Sequence, residues 1–222
     1  MNGWGEFIAA YGLFLASHAI PVRPPVKPYL TARLGRAGFS LAYSVLSIAV
    51  LVWLIMAAGR APTVEIWPRA AWQTIVTLAA MVAACMILAL AAFRPNPFSF
   101  GGRRNADFDP ARPGIAGWLR HPFLAALALW AAGHAAPNGD LAHGILFGGF
   151  ALFALLGMRL IDRRRKREMG AGRWSELRQA AREGRSLAPD AATFARLTAG
   201  LVLLCVLIWL HPHVIGLNPL AW

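Results

Sequence analysis

Carboxylates are what this sequence has least of: ten Asp and Glu among 222 residues, almost none of them inside the long apolar runs. It contains no HExxH and no Glu-x-x-His pair, so zinc-hydrolase and di-iron chemistry lack their usual ligand sets. The two cysteines, Cys85 and Cys205, are spaced neither like a metal motif nor like a disulfide framework. Each falls near the middle of an apolar run, where a thiol is expected to act as a small packing group. No internal repeat is visible. MNGWGE offers no Lys or Arg ahead of the first apolar run, so a retained helix is expected there rather than a cleavable signal peptide.

What fills the space is apolar. The chain is 58% hydrophobic and 14% charged, with a mean hydropathy of +0.51, more than one soluble core of this length needs. Six stretches free of Lys and Arg are long enough to cross or nearly cross a bilayer: about 4–20, 38–58, 71–93, 122–136, 141–158 and 197–215. All should be helices, because lipid cannot satisfy the backbone groups of an open strand. The expected architecture is an all-α polytopic integral membrane protein with about six transmembrane helices, forming a single domain over residues 1–222.

The net charge of +12 would suggest nucleic acid in a soluble protein, but the basic residues sit beside helix ends without the interleaved aromatics of a stacking platform. Nucleic acid is therefore set aside in favour of membrane lipids as the partner of that charge. The loops 21–37, 94–120 and 159–196 hold 20 of the 22 Lys and Arg. Cytoplasmic loops are the ones so enriched, which places both termini on the outer, periplasmic side.

Two loops are long. Residues 94–120, with four prolines, Arg103, Arg104, Asp107 and Asp109, should be ordered by turns and serve either as a lid or anion-binding strap or as a solvated connection. Residues 159–196 contain WSELRQAAREG, in which Trp174 and Leu177 could share one side of a short interfacial helix. The APNGD link is tight, so its flanking helices should pack as an antiparallel hairpin. Gly144 and Gly148 form a small-xxx-small face expected to allow close helix approach.

Six histidines occur: His18, His121, His134, His143, His211 and His213. The first four border or enter apolar spans, where ionisable residues raise a functional hypothesis. Pro122 suits a first helical position, which makes His121 an N-cap. The thirteen residues from His121 to His134 rise about 20 Å and rotate roughly 220°, too far apart to share one ion. His18 is then the natural depth partner of His121, and His143 that of His134, with His211 and His213 able to join the outer group. Haem needs only one or two axial histidines and an apolar slot, and fits this scatter better than a multi-carboxylate metal site.

FLASHAIPVRPP (14–25), RHPFLAALALWAAGHAAPNGDLAHGILFGGF (120–150) and GMRLIDRRR (157–165) closely resemble the NnrU family, which is associated with bacterial denitrification and nitric oxide metabolism and is similar to the zeta-carotene isomerase of plastids and cyanobacteria. The resemblance implies a haem b protein of the bacterial inner membrane. Its iron ligands would fall on His18 and His134, against the His18 and His121 pairing that depth alone favours. Redox chemistry on nitric oxide, or isomerase-like chemistry on a small apolar substrate, would follow. A cysteine ligand used in the isomerase pattern would fall on Ala131, so thiolate exchange is not expected. RHP opening a helix also resembles a wider group that includes isoprenylcysteine methyltransferases, whose downstream acidic partner would be Glu168. A non-catalytic membrane accessory protein is the remaining alternative.

Overall fold

The computed structural model describes residues 3–100, 102–186 and 190–220. Among the described residues, eight α-helices and one short 3-10 turn at Asn105–Asp107 carry the fold: α1 Gly3–Ala19, α2 Val26–Arg60, α3 Ala71–Ala91, α4 Ile115–Trp118, α5 Pro122–Ala135, α6 Leu141–Met169, α7 Ala171–Glu183 and α8 Ala191–Ile215. Among the described residues the only β-pairing is an isolated bridge between Glu65 and Asp140. Among the described residues four helices, α2, α3, α6 and α8, are long and apolar enough to cross a membrane. Only 22% of the most apolar window of α2, α3 and α6, and 11% of that of α8, is buried. Such outward apolar faces are stable in lipid rather than water. At 17 and 14 residues, α1 and α5 rise only about 26 and 21 Å, short of a hydrocarbon core of about 30 Å.

The chain divides into two compact units, residues 1–67 with 140–146, and 68–139 with 147–222. In the first, α1 packs on α2. Phe7, Ala10, Phe14 and Ser17 are the buried stripe of α1, a helical spacing of three and four residues. Val50, Leu54, Ala57 and Ala58 are the buried positions of α2. Glu6 in the first turn of α1 accepts from Arg60 and from Trp53 Nε1 at 3.0 Å, tying the start of α1 to the end of α2. α2 begins twelve residues before its apolar stretch. Its helical path is broken by a kink at Gly35, where φ is 71° and ψ 170°, a positive-φ conformation that only glycine adopts without penalty.

In the second unit α3 packs on both α5 and α8. Thr77 Oγ1 donates to Gly133 O at 2.8 Å, and a Cβ on Gly133 would meet Ala80 Cβ at 2.7 Å, so this glycine sets the distance between α3 and α5. Arg196 on α8 donates to Ala89 O and Ala92 O at 3.2 and 2.8 Å, capping carbonyls that the end of α3 leaves open. α5 and α6 run antiparallel across the tight link: Trp130 meets Phe147 and Phe150, and Leu124 lies against Gly157.

Gly144 and Gly148 do not act as the close-approach pair expected of them. A Cβ on Gly144 would touch only Ile66 Cδ1, at 3.7 Å, and one on Gly148 would meet nothing within 4 Å. Close approach depends on a facing backbone, and that occurs at Gly133. Gly133→Ala should therefore lower the thermal midpoint by several degrees, since an overpacked contact costs about 1–3 kcal/mol. Gly148→Ala should leave it unchanged or slightly raised through helix propensity. Differential scanning fluorimetry in detergent compares the two.

Nor does α6 stop near residue 158. It continues through DRRRKRE to Met169 because Arg, Lys and Glu are good helix formers and Glu168 pairs with Arg164 and Arg165 one turn back. The loop 94–120 is ordered mainly by turns, with short helical pieces at Asn105–Asp107 and Ile115–Trp118, and part of it is anchored inside the protein. Phe98 and Ser99 within it are fully buried, and Phe98 packs with Trp174 and Ala181 of α7, flanked by Phe108, Met169 and Leu177.

Candidate functional site

His121 stands at the N-cap position of α5 with Pro122 behind it, as the His-Pro pair implies, though its ring makes no capping bond, and it is only 4% exposed. One ring nitrogen, Nε2, lies 3.0 Å from Asp162 Oδ1, and the other, Nδ1, 3.0 Å from Ser99 Oγ. An ionised carboxylate only accepts, so Nε2–H donates to Asp162 and Nδ1 accepts from the Ser99 hydroxyl. Asp162 also takes a two-pronged contact from Arg120, Nε at 3.3 Å and a terminal nitrogen at 2.9 Å. Arg165 donates to Ser99 O at 2.9 Å. Burial pushes the His121 proton affinity down, and Asp162 opposes this through its charge and hydrogen bond without reversing it.

Serine, histidine and aspartate in sequence invite comparison with a nucleophilic relay. A nucleophile must meet its substrate, however, and Ser99 is 0% exposed. The cluster is a lock that joins the 94–120 segment, the start of α5 and the charged part of α6. Asp162 and Ser99 were not singled out from sequence. The available signal was a lone acid in the otherwise basic run RLIDRRRKR, since an isolated carboxylate there is placed to hold its neighbours.

His134 lies in the last turn of α5. Nδ1 is 2.8 Å from Trp130 O, and the ring is flanked by Trp130 and Phe147, with centroids at 5.1 and 5.6 Å. Asn138 Nδ2 donates to the His134 carbonyl at 2.7 Å. A cleft of about 190 Å³ opens beside it, lined among others by Arg69, Thr74, Thr77, Asn138 and His211. The structure thus brings His211 to His134.

His18, on the last turn of α1, makes the same local bond, Nδ1 to Phe14 O at 2.8 Å, and its ring packs on Phe14 at 4.1 Å and edgewise on Tyr43 at 6.0 Å. His18 belongs to the first unit, His121 and His134 to the second. His143 bonds to Asp140 Oδ2 at 2.7 Å and helps close the first turn of α6. His213 repeats the bond to a carbonyl four residues back, at Trp209 O, so this bond by itself distinguishes no histidine as a ligand.

Among the described residues no group of three or more His, Cys, Asp or Glu could hold a metal ion. Haem asks for less. In a neutral ring with Nδ1–H donating to Trp130 O, the lone pair sits on Nε2, the arrangement an iron-ligating imidazole requires. The imidazole fits the group; the cleft does not enclose it, since 190 Å³ is below the roughly 300–1,000 Å³ of cofactor pockets.

The family profile described as NnrU protein matches residues 6–219, nearly the whole chain. The chain belongs to the NnrU family. No curated protein and no solved structure matches it. The matched span covers every helix of this NnrU chain from α2 to α8 in full and all but the first three residues of α1, so the His121 lock, the His134 cleft and His18 all lie within the matched residues.

Proposed function

We propose that this NnrU-family chain is a six-span protein of the bacterial inner membrane, with both termini periplasmic, that carries haem b and takes part in nitric oxide and denitrification metabolism. The observation that carries the haem reading is the His134 imidazole, held by Trp130 O with its Nε2 lone pair available and flanked by two aromatic rings. His18, in a matching local arrangement, is the second candidate ligand. Orientation rests on the concentration of Lys and Arg in loops 21–37, 94–120 and 159–196. In this reading α1 and α5 tilt little and thin the bilayer locally or leave their ends in the interface.

If bound, haem would be held by His134, with His18 the second candidate, and would supply redox-active iron chemistry toward nitric oxide or an apolar polyene. The chain's own part is narrower: Trp130 O fixes the tautomer and the angle of the ring, and Asn138 holds the end of α5 on which the ring sits. The cleft lining contributes no carboxylate or thiol to act on a substrate, so no reaction step is assigned to it.

Purified with haem supplied during expression, the protein should show a Soret band near stoichiometric haem, and His134→Ala should lose or shift it. His18→Ala tests the second ligand in the same way. Absence of a Soret band from the wild-type protein overturns the reading; full haem retention in both variants overturns the ligand assignment. A second reading, a non-catalytic membrane accessory protein, is favoured by one observation: each of the six histidines already bonds within the protein. Nothing favours the methyltransferase-like alternative, in which His121 and Glu168 would have to leave the partners they hold.

A further inference from the structure

A second cleft, of about 480 Å³, opens on α7 and is lined by Arg120, Trp174, Arg178, Arg182 and Arg185, with Glu183 its single carboxylate. Arg178 is 6% exposed. It gives one hydrogen bond, to Ala116 O at 2.7 Å, and its guanidinium lies over the Phe98 ring at 5.7 Å. Among the described residues its Nε has no acceptor, and neither has the indole Nε1 of Trp174 beside it. Two donors are therefore buried without partners among residues that line one cleft, and an unpaired buried donor is unfavourable.

The charges make the position worse. Burial and the positive charges of Arg182, Arg120 and Arg185 bring the Arg178 pKa down to about 10, against a small opposing effect of Asp162. Asp162 cannot answer for this cation, because Arg120 and His121 already share its two oxygens. Glu183 is exposed and accepts from Gln179. With a pKa of about 10 Arg178 is still a cation at neutral pH, so the cleft gathers several like charges, and an anion placed among them would relieve their mutual repulsion.

We propose that the α7 cleft binds a phosphoryl group carrying an organic substituent, held by the guanidinium groups of Arg178, Arg182 and Arg185. Guanidinium forks match tetrahedral oxyanions two donors at a time, and several acceptor oxygens on one group can serve several forks together. The cleft is larger than a bare phosphate needs, which leaves room for the ester. The same chemistry comes from two sources: a phospholipid headgroup, which the position of α7 directly after the charged end of α6 favours, or a soluble phosphate ester. The site is independent of haem, and its test does not depend on haem occupancy.

The full-length protein is purified in a neutral detergent, and its thermal midpoint is followed against inorganic phosphate at constant ionic strength. In parallel, it is reconstituted into phosphatidylcholine discs with increasing phosphatidylglycerol. Saturable stabilisation is expected in at least one arm. Arg182→Ala/Arg185→Ala, which alters only exposed side chains, should weaken that response at least tenfold, whereas Arg103→Ala/Arg104→Ala, equally exposed but outside the cleft, should leave it intact. Arg178→Gln should abolish the response if it folds. Saturation by phosphate assigns the soluble source, and saturation by phosphatidylglycerol alone assigns the headgroup. No saturable response in either arm, or equal loss in the Arg103/Arg104 control, overturns the site.

Discussion

Asp162→Ala lowers the midpoint of thermal unfolding by about 6–12 °C, the equivalent of roughly 3 kcal/mol at 2–4 °C per kcal/mol for a chain of this size. The carboxylate is 18% exposed and its partners Arg120 and His121 are 31% and 3% exposed at the side chain. Its removal leaves an imidazole N–H with no acceptor in the interior and a guanidinium half out of water with no counter-charge. Breaking one side of a buried pair costs about 3–5 kcal/mol, and the exposure of Arg120 brings the expected loss to the lower end. Arg120→Ala should cost less, because solvent already screens that partner. Fluorimetry of the three proteins in one detergent orders them; equal midpoints for wild type and Asp162→Ala would show that the network bears no load.

The same lock has a pH dependence whose sign is fixed. Burial lowers the His121 pKa below its ordinary value, so the unfolded chain takes up a proton that the folded ring refuses. Stability is fully present above about pH 6.5, the unfolded value, and is lost as the pH falls through it toward the depressed folded value. Asp162 works against the depression, so in Asp162→Ala the decline on acidification should be steeper than in wild type. His121→Gln should flatten this part of the profile.

How much of this could be read from residues alone depends on the length scale of each interaction. The helices were legible because stretches without Lys or Arg are local, and six helices, α1, α2, α3, α5, α6 and α8, contain the bulk of the six stretches. Their ends were not, where charge was taken as a stop: DRRRKRE continues α6 because helix propensity and the Glu168 pairs outlast the apolar run. The His121 cap followed from a two-residue pattern. Its partners did not, since Ser99 and Asp162 stand 22 and 41 residues away, with no periodicity linking them. α7 shows the same limit from the other side. Trp174 and Leu177 do share a face, but Arg178 is buried on it too. A basic residue beside a helix end reads as solvated unless the fold that covers it is known.

Phe98→Ala should be the most damaging core substitution, costing about 3–5 kcal/mol and so lowering the midpoint by roughly 6–20 °C. Phe98 is 0% exposed although it stands in a segment of prolines, glycines and turns, so the folding of residues 94–120 depends on one aromatic anchor. Its ring meets Phe108 edge-on at 5.5 Å and Trp174 at 6.2 Å, and it is the surface on which Arg178 rests. Next to it Ser99 takes part in the His121 network, so one side chain connects the lock to the arginine cleft. Removing the ring leaves a void that the surrounding helices cannot collapse into. It also withdraws the aromatic face that offsets part of the cost of a buried guanidinium. Phe98→Ala should therefore weaken the phosphate or phosphatidylglycerol response as well as the fold. Phe98→Leu, which restores most of the volume without the π-face, should recover much of the midpoint and less of the ligand response. Recovery of both in parallel would mean that the ring acts through its volume alone.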